Sequence, residues 1–245
     1  MDRACWITWY NLPAGQREQH LSWLHTSYMP RVVERPGILW GAHYASEENV
    51  VPLGGGKGRV SHTTQADVPA GDRYILIFGA KEPEAFTRPT PNAFHASLPE
   101  ADRRMLQLRQ SERVNIMIDQ ARVHGPEARQ PQADMTPSAC IQLGSFNAAS
   151  YDDEDELARW YAEWRLPSMS TLRGCVRVRK LVSVAGWAKH ACLYEFTSVA
   201  ARNDNFVHYE RAHPEMETWS KAAVKKLIHA PGSANLAQRI ALVVK

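Results

Sequence analysis

Trp23-Leu-His-Thr-Ser-Tyr-Met-Pro-Arg-Val-Val-Glu-Arg-Pro-Gly37 has a counterpart later in the chain, Trp160-Tyr-Ala-Glu-Trp-Arg-Leu-Pro-Ser-Met-Ser-Thr-Leu-Arg-Gly174. Trp23 and Trp160, Pro30 and Pro167, and Gly37 and Gly174 each lie 137 positions apart, with no gap. A fixed offset at such residues marks an internal duplication. The flanking pattern extends it. Before the first copy, residues 4–10 read as a buried strand, followed by a turn at 11–15. A helix is expected from about Arg17 to Tyr28, with Leu21, Leu24 and Tyr28 at helical spacing. Pro30 is expected to stop it, because proline disfavours helix at the preceding residue. Pro36-Gly37 then turns the chain into a strand at Ile38–Tyr44. Arg73–Phe78 reads as a third strand, 92–111 as a second helix and Val114–Val123 as a fourth strand.

The second copy has the same surroundings. A strand at Ala139–Phe146 precedes the acidic run Asp152–Glu156, which suits a helix N-terminus. Leu157, Trp160, Tyr161 and Trp164 form an apolar helical stripe that Pro167 is expected to end. Strands follow at Cys175–Val184 and His190–Phe196, helix within Asn205–Ile228 and a last strand at Arg239–Val244. Each half therefore reads strand, helix, strand, strand, helix, strand, the ferredoxin-like unit. The expected class is α+β: residues 1–124 as one βαββαβ repeat, a linker at 125–137 and a second repeat at 138–245. The two antiparallel sheets would face each other as an intrachain α+β barrel. Residues 47–72 are an insertion confined to the first half and read as a mobile flap. Its run Gly54-Gly55-Gly56-Lys57-Gly58 lacks the Ser or Thr of a P-loop, which argues against phosphate binding.

Composition narrows the function. Twenty-nine basic and 26 acidic residues are interspersed, so nucleic acid is a poor partner and a membrane surface no better. The N-terminus lacks a signal-peptide pattern, and Cys5, Cys140, Cys175 and Cys192 are dispersed and apolar-flanked, as in a reduced cytoplasmic protein. No histidine cluster has metal-ligand spacing.

With Pro30 to Gly37 and Pro167 to Gly174 both keeping one spacing, the chain resembles the dimeric α+β barrel superfamily, and within it the EthD-like families. Their motif carries a histidine two residues before the proline; here that position is Tyr28 in one half and Arg165 in the other. The resemblance implies a barrel fold and admits cofactor-free monooxygenases, cyclases, isomerases and haem-binding enzymes, so the fold does not name a reaction. One chain holding two copies does internally what single-copy relatives do by dimerising, and a further homodimer stays open.

His25 and Tyr28, three apart on the first helix, form a candidate acid–base pair, with His43 on the second strand as another catalytic group. Trp6, Trp40, Tyr44, Arg165, His95 and His208 are the candidate substrate-binding residues. Arg165 could hold a carboxylate or phenolate. Arg177 and Arg179 share a strand face that is either solubilising or turned to an anion. The expected function is a cofactor-independent enzyme acting on a small apolar molecule, aromatic or polyketide-like, in the first-half cleft, with the Gly-rich loop as its lid. The alternatives are a haem protein using His95 or His208, and a non-catalytic binding or assembly module.

Overall fold

The computed structural model describes residues 1–48, 50–52, 60–128 and 137–245. The Gly54–Gly58 run and most of the interdomain linker lie outside them. The described residues form ten strands: β1 (Ala4–Asn11), β2 (Ile38–Ser46), β3 (Ser61–His62), β4 (Tyr74–Ala80), β5 (Gln110–His124), β6 (Cys140–Ala148), β7 (Cys175–Ala185), β8 (His190–Phe196), β9 (Leu227–His229) and β10 (Asn235–Val244). Eight of them close into an antiparallel barrel in the order β10-β2-β4-β1-β5-β7-β8-β6, with β6 returning to β10. Within the barrel the first half contributes β2-β4-β1-β5 and the second β7-β8-β6-β10. The halves meet edge to edge, at β5–β7 and at β10–β2.

The strands read as nearly continuous apolar runs because both of their faces are covered. In β1, Cys5, Ile7 and Trp9 point into the barrel, while Trp6 and Tyr10 point out beneath helices. Three cores follow: one inside the barrel and one between each half's sheet and its helices.

The first helix of each half departs from expectation at its proline. Helix α1 (Arg17–Trp23) continues through a π-helical turn (Leu24–Tyr28) into α2 (Met29–Val33), so Pro30 lies inside a continuous rod. The second half repeats this with α5 (Tyr151–Trp160), a π turn (Tyr161–Arg165) and α6 (Leu166–Met169). A proline ring clashes with the carbonyl four residues back and offers no N–H. The π turn shifts the bonding to i→i+5 just ahead of it, with Met29 N–H on Leu24 O and Leu166 N–H on Tyr161 O. Gly37 and Gly174 then turn the chain at φ +79° and +82°, conformations glycine adopts without strain. The single helix expected at 92–111 is two, α3 (Pro91–Ser97) and α4 (Glu100–Gln107), separated at Pro99. The later helices are α7 (Val199–Asn205) and α8 (Pro214–Lys225).

The barrel interior is sealed by side chains, several of them charged. Arg177 and Arg179 occupy neither a solvated face nor a pocket; both are fully buried inside the barrel. Arg177 donates two hydrogen bonds to Glu195, at 2.7 and 3.0 Å. Arg179 donates to Asp2 and to Asp119, each at 2.8 Å. Trp40 and Tyr44, expected to bind substrate, are structural for the same reason: they face inward. Trp40 Nε1 donates to Asp2 at 3.2 Å and Tyr44 Oη to the Ser138 carbonyl at 2.9 Å.

Asp2 thus accepts from Trp40, Arg179 and Arg122 in a site closed to water. Removing one member of a buried ion pair leaves the other uncompensated, at a cost of about 3–5 kcal/mol. Asp2→Ala is expected to lower the unfolding free energy by that amount in urea denaturation. A loss within experimental error would show the cluster to be energetically neutral.

Candidate functional site

The two halves use the space between sheet and helices differently. In the first half it is filled by a packed polar cluster. His25 Nε2 lies 2.9 Å from His43 Nδ1, and His43 Nε2 lies 2.8 Å from Tyr10 Oη, a chain running inward from half-buried His25. Tyr28 belongs to a second chain, with its Oη 2.6 Å from His95 Nε2. His25 and Tyr28 are therefore not one acid–base pair. The buried Arg109 guanidinium stands over both the Tyr10 and Tyr28 rings and bonds Glu112 at 2.8 Å. Burial, and then the neighbouring His25 and Arg109, hold His43 well below the ordinary imidazole range. His95 falls to about 4, mainly by burial. Trp6 is packed against Phe78, Phe86 and His95 and opens onto no cavity.

The second half is hollow. A cavity of about 360 Å³ lies between its sheet and helices. Its floor is the outward row of β6, namely Gln142, Gly144 and Phe146, with Cys192 and Tyr194 beside it on β8. Trp160, Tyr161 and Arg165 descend from the first helix of that half, and His229 comes from β9. Arg165 is buried; its Nε donates to Tyr194 Oη and its Nη1 to Glu210, both at 3.0 Å. Arg202 on α7 completes the polar side, with Nε donating to Gln142 Oε1 at 2.7 Å.

Matched rungs of the two sheets account for the difference. Where the first half pairs Trp6 with Phe78 and Thr8 with Leu76, the second pairs Gln142 with Tyr194 and Gly144 with Cys192. The space taken by an indole and a leucine is released. At the floor, a methyl group built on Gly144 would meet nothing nearer than 3.8 Å. His43, paired with Leu76, is matched by Lys180, paired with Cys192. Lys180 is buried against Phe146 and Tyr161, and burial lowers it to about 8.

The long insertion of the first half crosses to this cavity. Val50, Pro52 and Val60 line it, and β3 runs parallel to β9. The described flanks of the loop therefore cover the second-half cavity and not the first-half cleft.

No family model and no curated protein matches the sequence. Solved structures do. A candidate monooxygenase from Lactobacillus acidophilus superposes with a TM-score of 0.57 at 10% identity, covering 100% of this chain and 97% of its own. An anthrone oxidase-like protein gives 0.59 at 9% identity, with 99% and 93% covered. The R173K chlorite dismutase of Candidatus Nitrospira defluvii gives 0.51 at 8% identity, with 97% and 91% covered. The likeness is one of fold. These proteins share the α+β barrel over essentially the whole chain.

A haem site does not emerge from the residues expected to form one. His95 is held by Tyr28 in the packed half, and His208 is exposed and does not line the cavity. Among the described residues no group of three or more His, Cys, Asp or Glu could hold a metal ion, and no helix is long and apolar enough to cross a membrane.

The cavity has the elements of a proton-transfer site. Burial lowers His229 to about 4, so it is neutral at pH 7, and its buried Nδ1 has no hydrogen-bond partner among the described residues. Tyr194 accepts a hydrogen bond from Arg165, and Cys192 is a second side-chain partner of the same phenol. Burial raises the Tyr194 pKa and Arg165 opposes the rise. Of these groups Arg165 alone was singled out from the sequence. Arg202 had a readable signal, since Val199, Arg202 and Phe206 share a helix face; His229 sits on a three-residue strand and had none.

Two measurements follow. Gly144→Val should fold and fill the cavity floor, abolishing fluorescence enhancement of an apolar dye that wild type binds; undiminished enhancement would place the dye elsewhere. The second concerns acid stability. His20, His95, His190 and His229 are all lowered to about 4 by burial. The unfolded chain then binds more protons between about pH 6.5 and pH 4. Stability is full above 6.5 and lost as pH falls toward 4. Replacing His20 by leucine, its counterpart 137 residues on at Leu157, should reduce that loss in melting curves recorded across this range. An unchanged pH slope would remove His20 from the account.

Proposed function

We propose that the protein is a cofactor-independent enzyme that removes a proton from a small, largely apolar, aromatic or polyketide-like molecule held in the second-half cavity. The observation that carries this reading is the cavity itself. Its size is that of small-molecule sites, its walls are aromatic, and an uncharged imidazole and a polarised tyrosine share it. In the proposed step, the His229 imidazole accepts a proton from a carbon next to a carbonyl group. The electron pair moves onto the carbonyl oxygen, which takes a hydrogen bond from Tyr194, with Arg165 stabilising the charge behind it. The resulting enolate can be reprotonated elsewhere, lose a leaving group, close a ring or react with dioxygen. Isomerase, lyase, cyclase and monooxygenase outcomes thus share this first step.

We further infer that the barrel arose by duplication of a βαββαβ unit. The repeated proline-to-glycine spacing, π turns at matching positions and a common strand order support this. In the EthD-like pattern the first-helix histidine would stand where Arg165 now supports Tyr194, so the acid–base work passes to strand residues.

Anthrone, suggested by the anthrone oxidase-like protein of the same fold, is a suitable probe. Deuterium uptake at its C10 methylene under nitrogen reads proton removal independently of any later oxidation. Wild type should exceed buffer, and Tyr194→Phe and His229→Gln should each reduce the enzymatic rate by about 10²- to 10⁴-fold. Exchange no faster than in buffer, or indifferent to both substitutions, would refute the assigned roles. With air admitted, anthrone plus dioxygen gives anthraquinone plus water, which separates the monooxygenase outcome from the others.

A further inference from the structure

The second-half cavity contains a cation that nothing in the proton-transfer step employs. Arg202 is 1% exposed, yet no carboxylate among the described residues pairs with it. Its partners are neutral oxygens: Gln142 Oε1 at 2.7 Å, the Val51 carbonyl at 2.7 Å and Asn203 Oδ1 at 2.8 Å. These bonds use Nε and Nη1. Nη2 has no partner among the described residues, and it is not one of the buried polar atoms sealed from the surface. Arg165, by contrast, is matched by Glu210. The two guanidiniums rest on neighbouring positions, because Gln142 and Tyr194 are paired across β6 and β8. Together with Glu210 they leave one positive charge uncompensated at the cavity wall. Arg113 shows the contrasting case: it is also buried without a carboxylate partner, but it lies over the Trp9 ring and lines no cavity. Burial lowers Arg202 only to about 10, so it stays charged at neutral pH.

A buried cation is costly unless an anion meets it. We propose that the cavity's ligand is an apolar acid, and that its carboxylate docks on Arg202 while its hydrocarbon body lies over Gly144 between Phe146 and Trp160. The inference rests on the second-half cavity being the binding site. It adds that Arg202 is the specificity-determining residue and that ligands are monoanionic. The Val51 carbonyl, from the insertion of the first half, accepts from Arg202 Nη1, so this part of the insertion takes part in recognition.

The test is titration calorimetry with 2-naphthoate and its uncharged methyl ester. Wild type should bind the acid at least 10-fold more tightly than the ester. Arg202→Gln should weaken the acid by about 10- to 100-fold, the range for a hydrogen bond to a charged group, and leave the ester within 2-fold. Arg202→Lys, which keeps the charge and loses the fork, should fall between. Melting curves identify any variant that fails to fold, and the acid-to-ester ratio in wild type decides the matter without a variant. If the ester binds as well as the acid, the cavity reading stands and the carboxylate inference is overturned. If neither binds, the cavity reading fails and this inference fails with it.

Discussion

Closure of the barrel is the constraint on which the rest of the structure depends. β10 pairs with β6 through residues 235–238 and with β2 along most of its length, while β5 joins β7 on the opposite side. Neither half has a complete sheet edge of its own, and closure removes the unpaired edges that four-stranded sheets would otherwise expose. It also brings the inner faces of both halves together into one interior. That interior is filled with tryptophan, aliphatic side chains and ion-paired arginines, which leaves no volume for a ligand. Any site is thereby displaced to the outer faces, beneath the helices.

Among the described residues there is one such place in each half, and a few positions explain how they differ. The scaffold parts agree: π turns at matching residues, glycines at nearly the same positive φ, and histidine or leucine at a matched buried position. The floor residues do not. Trp6 and Thr8 support a solid polar cluster in one half, whereas Gln142 and Gly144 leave a void in the other. A solid, hydrogen-bonded cluster rigidifies a domain; a void of this size costs stability unless something fills it in use. The distribution leaves the first half packed and the second hollow.

The sequence made the α+β class and most strand positions legible, because strands buried on both faces and repeated proline–glycine turns are local signals. It misled at Pro30 and Pro167, where the π turn that accommodates the ring leaves no mark in the periodicity. Polar residues drew attention to the first half, whereas the cavity lies in the second. His25 meets His43, and Tyr28 meets His95 beneath Arg109, and composition cannot distinguish a packed polar cluster from a reactive one. The hollow was invisible because its origin is a missing side chain at Gly144 and a substitution of glutamine for tryptophan. Arg177 and Arg179 show the same limit: only closure of the barrel places Glu195, Asp2 and Asp119 around them.

The cavity is, finally, a product of the whole chain and not of one half. Its floor and first-helix wall come from residues after 140, but Val50, Pro52 and Val60 come from the insertion in the first half. That insertion is anchored twice, by the parallel pairing of β3 with β9 and by the Val51 carbonyl on Arg202. His229, the neutral imidazole of the site, sits on the strand to which the insertion attaches, opposite His62 in the register. His229 and Arg202 both contact this segment of the first half, which gives a physical reason for the two halves to remain joined in one polypeptide.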